Sequence, residues 1–156
     1  MKTIPLTQGA FALVDDEDFE YLNQFKWCFD GGYAHRKIRI SKKDIKIYMH
    51  RFILGVEGQE VDHINGVGLD NRRENLRIST HRQNMQNRKI PSHNTTGYKG
   101  VIFKGNEKRK KKYQAHIKIN GKEKYLGYYF TPQEAALAYN IAAKEYFSEY
   151  ANLNKV

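Results

Sequence analysis

Apolar positions in this chain fall into short runs with a period of two, broken by acidic or glycine-rich turns, and only twice open into a longer helical rhythm. FALV (11–14) reads as a strand, after which Asp15 or Asp16 caps a helix reaching about Phe25, with Asp16, Glu17 and Asp18 in its first turn, where the helix dipole favours negative charge. WCFDGGYAHRKIRI places Asp30-Gly31-Gly32 between two aromatic-rich runs, a hairpin signal, and a further strand, DIKIYMH, leads into the apolar HRFILG. Next come VDHING, the polar loop VGLDNRREN, the strand LRIST and the helix RQNMQNRK, with Thr80 and Gln83 at capping-box spacing. IPSHNTTG has no periodicity and reads as a linker. Beyond it YKGVIF, YQAHIKI and KEKYLGYYF read as strands, the last two joined at Asn120-Gly121. Thr131-Pro132 then opens a helix, with Glu134 completing a capping box. Its face of Ala135, Ala138, Tyr139, Ala142 and Tyr146 suits close approach to a sheet. The expected fold is α+β. A small α+β layer (1–58) leads into a strand–loop–strand–helix unit (59–90). A linker (91–97) then joins a three-stranded antiparallel sheet packed on one helix (98–156).

Charge sharpens this division. The chain of 156 residues carries a formal +10, which points to a polyanionic partner. Residues 1–60 are balanced at nine basic and nine acidic, 61–90 have a net +3, and 91–156 a net +7. The excess therefore sits where a bound nucleic acid would need it. The lone Cys28 excludes an internal disulfide and a cysteine-rich zinc site, so no structural zinc is expected. The N-terminus turns acidic at once and nothing resembles a leader or a membrane span, which suits a cytoplasmic protein without a membrane partner.

The chemistry gathers in 59–90. Hydrolysis of a phosphodiester needs a base to activate water and a cation to stabilise the crowded phosphate and the departing oxygen. Asp62 and His63 end a strand, so their side chains point to opposite faces. His63 is neutral near pH 7 and can accept a proton. Asp62 offers a hard oxygen suited to Mg²⁺ or Mn²⁺, and Asn84, on the following helix, offers an amide oxygen as a second ligand. Asn75, at the loop–strand junction, can bridge the loop backbone and hold His63 in place. Arg72, Arg73, Arg77, Arg82 and Arg88 surround the set, and some of them would hold a nucleic-acid backbone. His50 reads as a packing or DNA-contacting residue rather than a ligand, and His81 as an exposed helix-start histidine.

These residues in this order, V-D-H-I-N-G, then D-N-R-x-E-N-L-R, then Q-N-x-x-N, resemble the ββα-metal (His-Me finger) motif of HNH endonucleases. The likeness is strongest to the branch with phage intron-encoded homing nickases, and IPLT…ALVDDEDF…KW…GYA…MHR extends it over about 1–90. The resemblance implies a DNA-cutting enzyme in which His63 is the general base. Asp62 and Asn84 would bind one divalent metal, and Asn75 would support the catalytic histidine.

In YQAHIKI, Gln114, His116 and Lys118 share one face, while Ala115, Ile117 and Ile119 share the other. The apolar face has the alanine-rich helix to pack on, leaving a polar ribbon free for a DNA groove, with the run Lys108–Lys112 as phosphate anchors. Residues Gly97 to Asn154, through Y-K-G-V, A-x-I-K, Y-L-G-Y-Y-F, T-P-Q-E-A-A-L-A-Y-N-I-A-A-K and A-N-L-N, resemble the DNA-binding domain of plant ethylene-response factors, the Apetala-two type. That resemblance puts contacts to double-stranded DNA on Lys99, Lys104, His116, Lys118 and Tyr125. Ile102 and Glu123 stand where those domains usually place arginines, so the sequence recognised does not carry over.

Two other readings compete: a DNA-binding regulator with an inactive nuclease domain, and a basic protein that coats nucleic acid. The intact Asp62, His63, Asn75 and Asn84 favour the enzyme over the regulator. A single active site and no evident dimer seam favour a monomer without an obligatory protein partner, leaving nick or double-strand cut open.

Overall fold

The structure is a computed structural model that describes all residues except Asn106, Glu107 and Arg109, so Arg109 of the expected basic run lies outside the described residues. The chain forms two compact units, Met1–Met85 and Gln86–Val156. Both mix strands and helices in small antiparallel sheets, in keeping with an α+β class.

In the first unit β1 (Lys2–Pro5) pairs with β2 (Phe11–Val14), burying Ile4, Ala12 and Val14. Sequence pattern missed β1 because Pro5 ends it and one residue, Ile4, is buried; proline is tolerated there because the strand is an edge. Helix α1 (Asp16–Leu22) begins as expected but stops at Leu22 rather than Phe25. The Trp27 indole donates to the Leu22 carbonyl at 2.9 Å, ending the helix with a buried side chain from the next segment. Asp15 does not cap with its carboxylate, which accepts the Arg73 backbone N–H at 2.8 Å instead.

Strands β3 (Cys28–Asp30), β4 (Tyr33–Ile40) and β5 (Lys43–Tyr48) form one sheet, with Gly31 and Gly32 supplying the positive φ of the expected turn. The apolar HRFILG becomes helix α2 (Met49–Leu54), closed by left-handed Gly55, whose N–H bonds the Arg51 and Phe52 carbonyls. Strands β6 (Glu60–His63) and β7 (Leu76–Ser79) make a hairpin, and α3 (His81–Gln86) follows with its capping box formed between Thr80 and Gln83. One core joins Ile4, Val14, Leu22, Trp27, Met49, Val61 and Leu76, so β6 and β7 are held by the whole unit. A two-stranded ribbon would not persist alone.

In the second unit the order β10 (Lys122–Tyr129), β9 (Tyr113–Ile119), β8 (Val101–Phe103) gives the expected sheet, with Asn120 and Gly121 turning at positive φ. Helix α4 (Pro132–Phe147) packs on it. Its buried stripe is Ala135, Ala136, Tyr139, Ala142, Ala143 and Phe147, rotated from the expected one, and Tyr146 instead accepts a hydrogen bond from Lys124 Nζ at 2.5 Å. The Glu134 carboxylate reaches the Phe130 N–H, one residue earlier than the capping box predicted. Residues 86–90, read as the end of the helix before the linker, and 91–97, read as the linker, fall within this compact unit. Lys99 Nζ donates to the Gln86 and Arg88 carbonyls (2.5 and 2.9 Å), and the Asn152 amide donates to the Asn87 carbonyl at 2.8 Å. Asn154 ties its segment to the backbone before β8 and to α4. Its side chain bonds the Lys99 N–H and C=O, and its backbone exchanges bonds with the Asn140 amide.

Gly100 sits at φ +74, and a Cβ there would enter the Tyr139 ring and come within 2.6 Å of the His116 carbonyl. Gly100→Ala therefore strains the backbone and parts helix from sheet. We expect a loss of more than about 2 kcal/mol in denaturant unfolding of the second unit; an unchanged midpoint contradicts this packing.

Candidate active site

His63 closes β6, and its own carbonyl accepts the Gly66 N–H at 2.7 Å, so the chain turns immediately after it. The loop 64–75 that follows is bolted at several points. The Asn75 side chain accepts from the Asn65 N–H at 2.9 Å and donates to the Asp70 carbonyl at 2.7 Å. The Asp70 carboxylate takes the Asn65 amide at 2.7 Å and two N–H groups of Arg72, at 2.8 and 2.7 Å. Backbone bonds from Leu13 to Leu69 and from Asn71 to Leu13, both 2.8 Å, lay the loop along β2.

Alternation along β6 separates two faces. Val61 and His63 face the core side. There the His63 ring lies 5.0 Å edge-to-face from His50 and 5.7 Å from Tyr33, and its Nε2 is 3.4 Å from Asn71 Oδ1. Burial holds the His63 imidazole below its ordinary range, against the opposing pull of Asn71, Asp62 and Asp70. His50 is pushed down to about 3 by burial first, then by His63 and Arg51, and burial lowers His35 too. All three rings are neutral at physiological pH.

The other face carries Glu60 and Asp62. Asp62 is 4% exposed, and its Oδ2 accepts Arg77 Nε at 3.0 Å and Nη2 at 2.7 Å from directly across the hairpin. Asn84, on α3, donates its amide N–H to Glu60 Oε2 at 3.1 Å, which directs its side chain to the face that holds Asp62 and leaves its oxygen as the atom able to ligate. His81 Nδ1 meets the other Glu60 oxygen at 2.8 Å, so this exposed histidine is tied to β6. Among the described residues no group of three or more His, Cys, Asp or Glu side chains is arranged to hold a metal. The oxygen pair from Asp62 and Asn84 suits a hard divalent ion that keeps several of its waters.

A family model described as HNH endonuclease matches residues 55–86, the segment that holds this constellation. An uncharacterised HNH endonuclease of Acanthamoeba polyphaga mimivirus is 32% identical over 157 aligned positions, covering 96% of this chain and 77% of the relative. The chain belongs to the HNH endonuclease family. Protein 3.8 of Escherichia phage T7 is 31% identical over 67 residues, covering 43% of this chain and 53% of that protein. No solved structure matches. As an HNH endonuclease the protein has DNA as its substrate. No helix among the described residues is long and apolar enough to cross a membrane.

Several arginines and lysines expected on the DNA are placed otherwise. Arg72 is held by Asp70 and Glu74, and Arg73 by Asp18 (2.9 and 2.7 Å) and Glu17 (3.1 Å). Both guanidiniums therefore brace the loop and α1 of the endonuclease. Lys99 is turned inward onto backbone carbonyls, and burial lowers its ammonium to about 8. Arg82, Arg88, Lys118 and Tyr125 are exposed, while Lys104, Gln114 and His116 are half-buried. Gln114, His116 and Lys118 share one sheet face, where Tyr125 lies opposite His116 and Glu123 opposite Lys118. Sequence reasoning passed over Tyr33 and Asn71, which flank His63 from a distant strand and from within the loop; neither stands out by spacing.

The depressed histidines give a pH prediction for the endonuclease's first unit. Their ordinary value is 6.5, so below it the unfolded chain binds protons that the folded chain refuses. Stability is thus full above about pH 6.5 and falls with acid, at about 1.4 kcal/mol per pH unit for each histidine still neutral in the fold. For His50 the loss continues down to about pH 3. Urea unfolding at pH 7.5 and 5.5 checks this, and His50→Phe should flatten the dependence.

Proposed function

We propose that this endonuclease hydrolyses one strand of duplex DNA at a chosen site, with His63 as general base and one divalent ion, Mg²⁺ or Mn²⁺, held by Asp62 and Asn84. The observation that carries the reading is the setting of His63: a buried, neutral imidazole at a strand end, directed by Asn71 and backed by His50 and Tyr33. Such a ring can take the proton of a water as its oxygen attacks phosphorus and the P–O bond to the leaving 3′-oxygen breaks. Asn75 has the supporting role: by clamping the loop backbone it keeps the chain beyond His63 from fraying and fixes where the ring stands. The ion, when bound, neutralises charge on the phosphate and on the leaving oxygen.

The second unit is read as the selector of the site, in the manner of the Apetala-two-type domain. Support comes from a three-stranded sheet whose one face is packed on α4 while the other presents Gln114, His116, Lys118 and Tyr125, together with the +7 of residues 91–156. The viral sources of both relatives support a homing-type element. One such site in a chain acting as a monomer cuts one strand.

His63→Ala should reduce nicking of supercoiled plasmid by about 10²–10⁴-fold with DNA affinity retained, and EDTA should stop the wild type. Cleavage by this variant within twofold of wild type removes His63 from its role, and a plasmid shifted in a gel but never nicked supports the regulator instead. His116→Ala with Lys118→Ala should leave the nicking rate on saturating DNA near wild type while scattering the cut positions on a long duplex. An unchanged cleavage map would refute the division of labour.

A further inference from the structure

Asp62 has a second constraint besides ligation. Its carboxylate is nearly inaccessible to water, and a buried carboxylate without a counter-charge is strongly disfavoured. Arg77 supplies that charge, placing Nε at 3.0 Å and Nη2 at 2.7 Å on the same oxygen, Oδ2, with its own side chain 14% exposed. The pairing is set by backbone register, because Asp62 and Arg77 stand opposite each other across β6 and β7. Residues so paired have Cβ atoms about 5 Å apart, so the guanidinium cannot retreat far.

A dication arriving at Asp62 therefore meets a resident cation already on its carboxylate. Displacing Arg77 leaves a guanidinium confined beside a doubly charged ion. The neighbouring acid on that face, Glu60, is already engaged by the Asn84 amide and by His81. An anion from outside can neutralise the displaced guanidinium. The endonuclease's substrate brings one, since the planar N–H fork matches two oxygens of a backbone phosphate.

We infer that Arg77 couples metal binding to DNA binding: it occupies Asp62 while no DNA is present, and transfers to a backbone phosphate when DNA and the metal are seated together. The inference rests on the reading of Asp62 as a metal ligand. It makes the free enzyme a weak metal binder, and by reciprocity the metal must tighten DNA as much as DNA tightens the metal.

The test measures Mn²⁺ affinity of the full chain without DNA, by calorimetry or by the electron paramagnetic resonance of free Mn²⁺, for wild type, Arg77→Gln, Arg77→Lys and Asp62→Asn. Arg77→Gln should bind Mn²⁺ about tenfold more tightly than wild type, within the range usual for coupled sites. Arg77→Lys, which keeps the charge, should stay close to wild type, and Asp62→Asn should lose the binding. In plasmid nicking, Arg77→Gln should need less Mn²⁺ for half-maximal rate yet reach a lower maximum, a split that a merely structural arginine would not produce. If Arg77→Gln binds Mn²⁺ no more tightly than wild type while Asp62→Asn abolishes binding, Asp62 is a ligand and the coupling is wrong. If Asp62→Asn binds as well as wild type, the metal assignment and the coupling fall together. Should Arg77→Gln unfold on its own, Mn²⁺ must restore the fold by taking over the counter-charge; failure to do so overturns the proposal.

Discussion

The arrangement around His63 depends on one amide side chain. Asn75 accepts an N–H from Asn65 and donates to the carbonyl of Asp70, so it closes a twelve-residue excursion between two strands at both ends of its middle section. Without that clamp the register of β6 and β7 would still set Asp62 against Arg77, but nothing would fix the path beyond His63. The buried Asn71, which meets the imidazole, lies on the same clamped segment. Geometry at a reacting phosphate is demanding, and loops are the least dependable part of a fold for supplying it. Here the loop is made rigid with polar side chains rather than with apolar burial.

Much of this was legible beforehand, for identifiable reasons. Asn120-Gly121, Gly31-Gly32, Thr80 with Gln83 and Thr131 with Glu134 are local signals, and local signals survive into the structure. The Asp62-His63 pair and the two later asparagines stand out in the sequence because their order and spacing define a motif, and a family model matches the segment that holds them. What escaped was non-local. Trp27 ends a helix five residues before it, Asp15 serves Arg73 rather than its own helix, and Tyr33 reaches His63 from another sheet. No period along the chain encodes such pairings.

Charge was the least dependable guide residue by residue. A cluster of arginines beside a cutting site reads naturally as a phosphate grip, yet Arg72 and Arg73 are each held by two carboxylates. Asp18 and Glu17, which hold Arg73, lie some fifty-five residues earlier, in the stretch 1–60 whose net charge is zero. That stretch is thus neutral in part because two of its acids serve an arginine of the loop.

The buried imidazoles His35 and His50, each with an Nδ1 that has no hydrogen-bond partner, are an unusual choice for a core that otherwise closes on Ile4, Leu22, Trp27 and Met49. Those aliphatic and aromatic contacts hold the unit together on their own account, unlike small metal-stapled domains, whose folding free energy is their metal-binding free energy. The fold of the first unit is consequently specified by apolar burial within the chain itself, and a bound ion is left with chemistry rather than folding as its part.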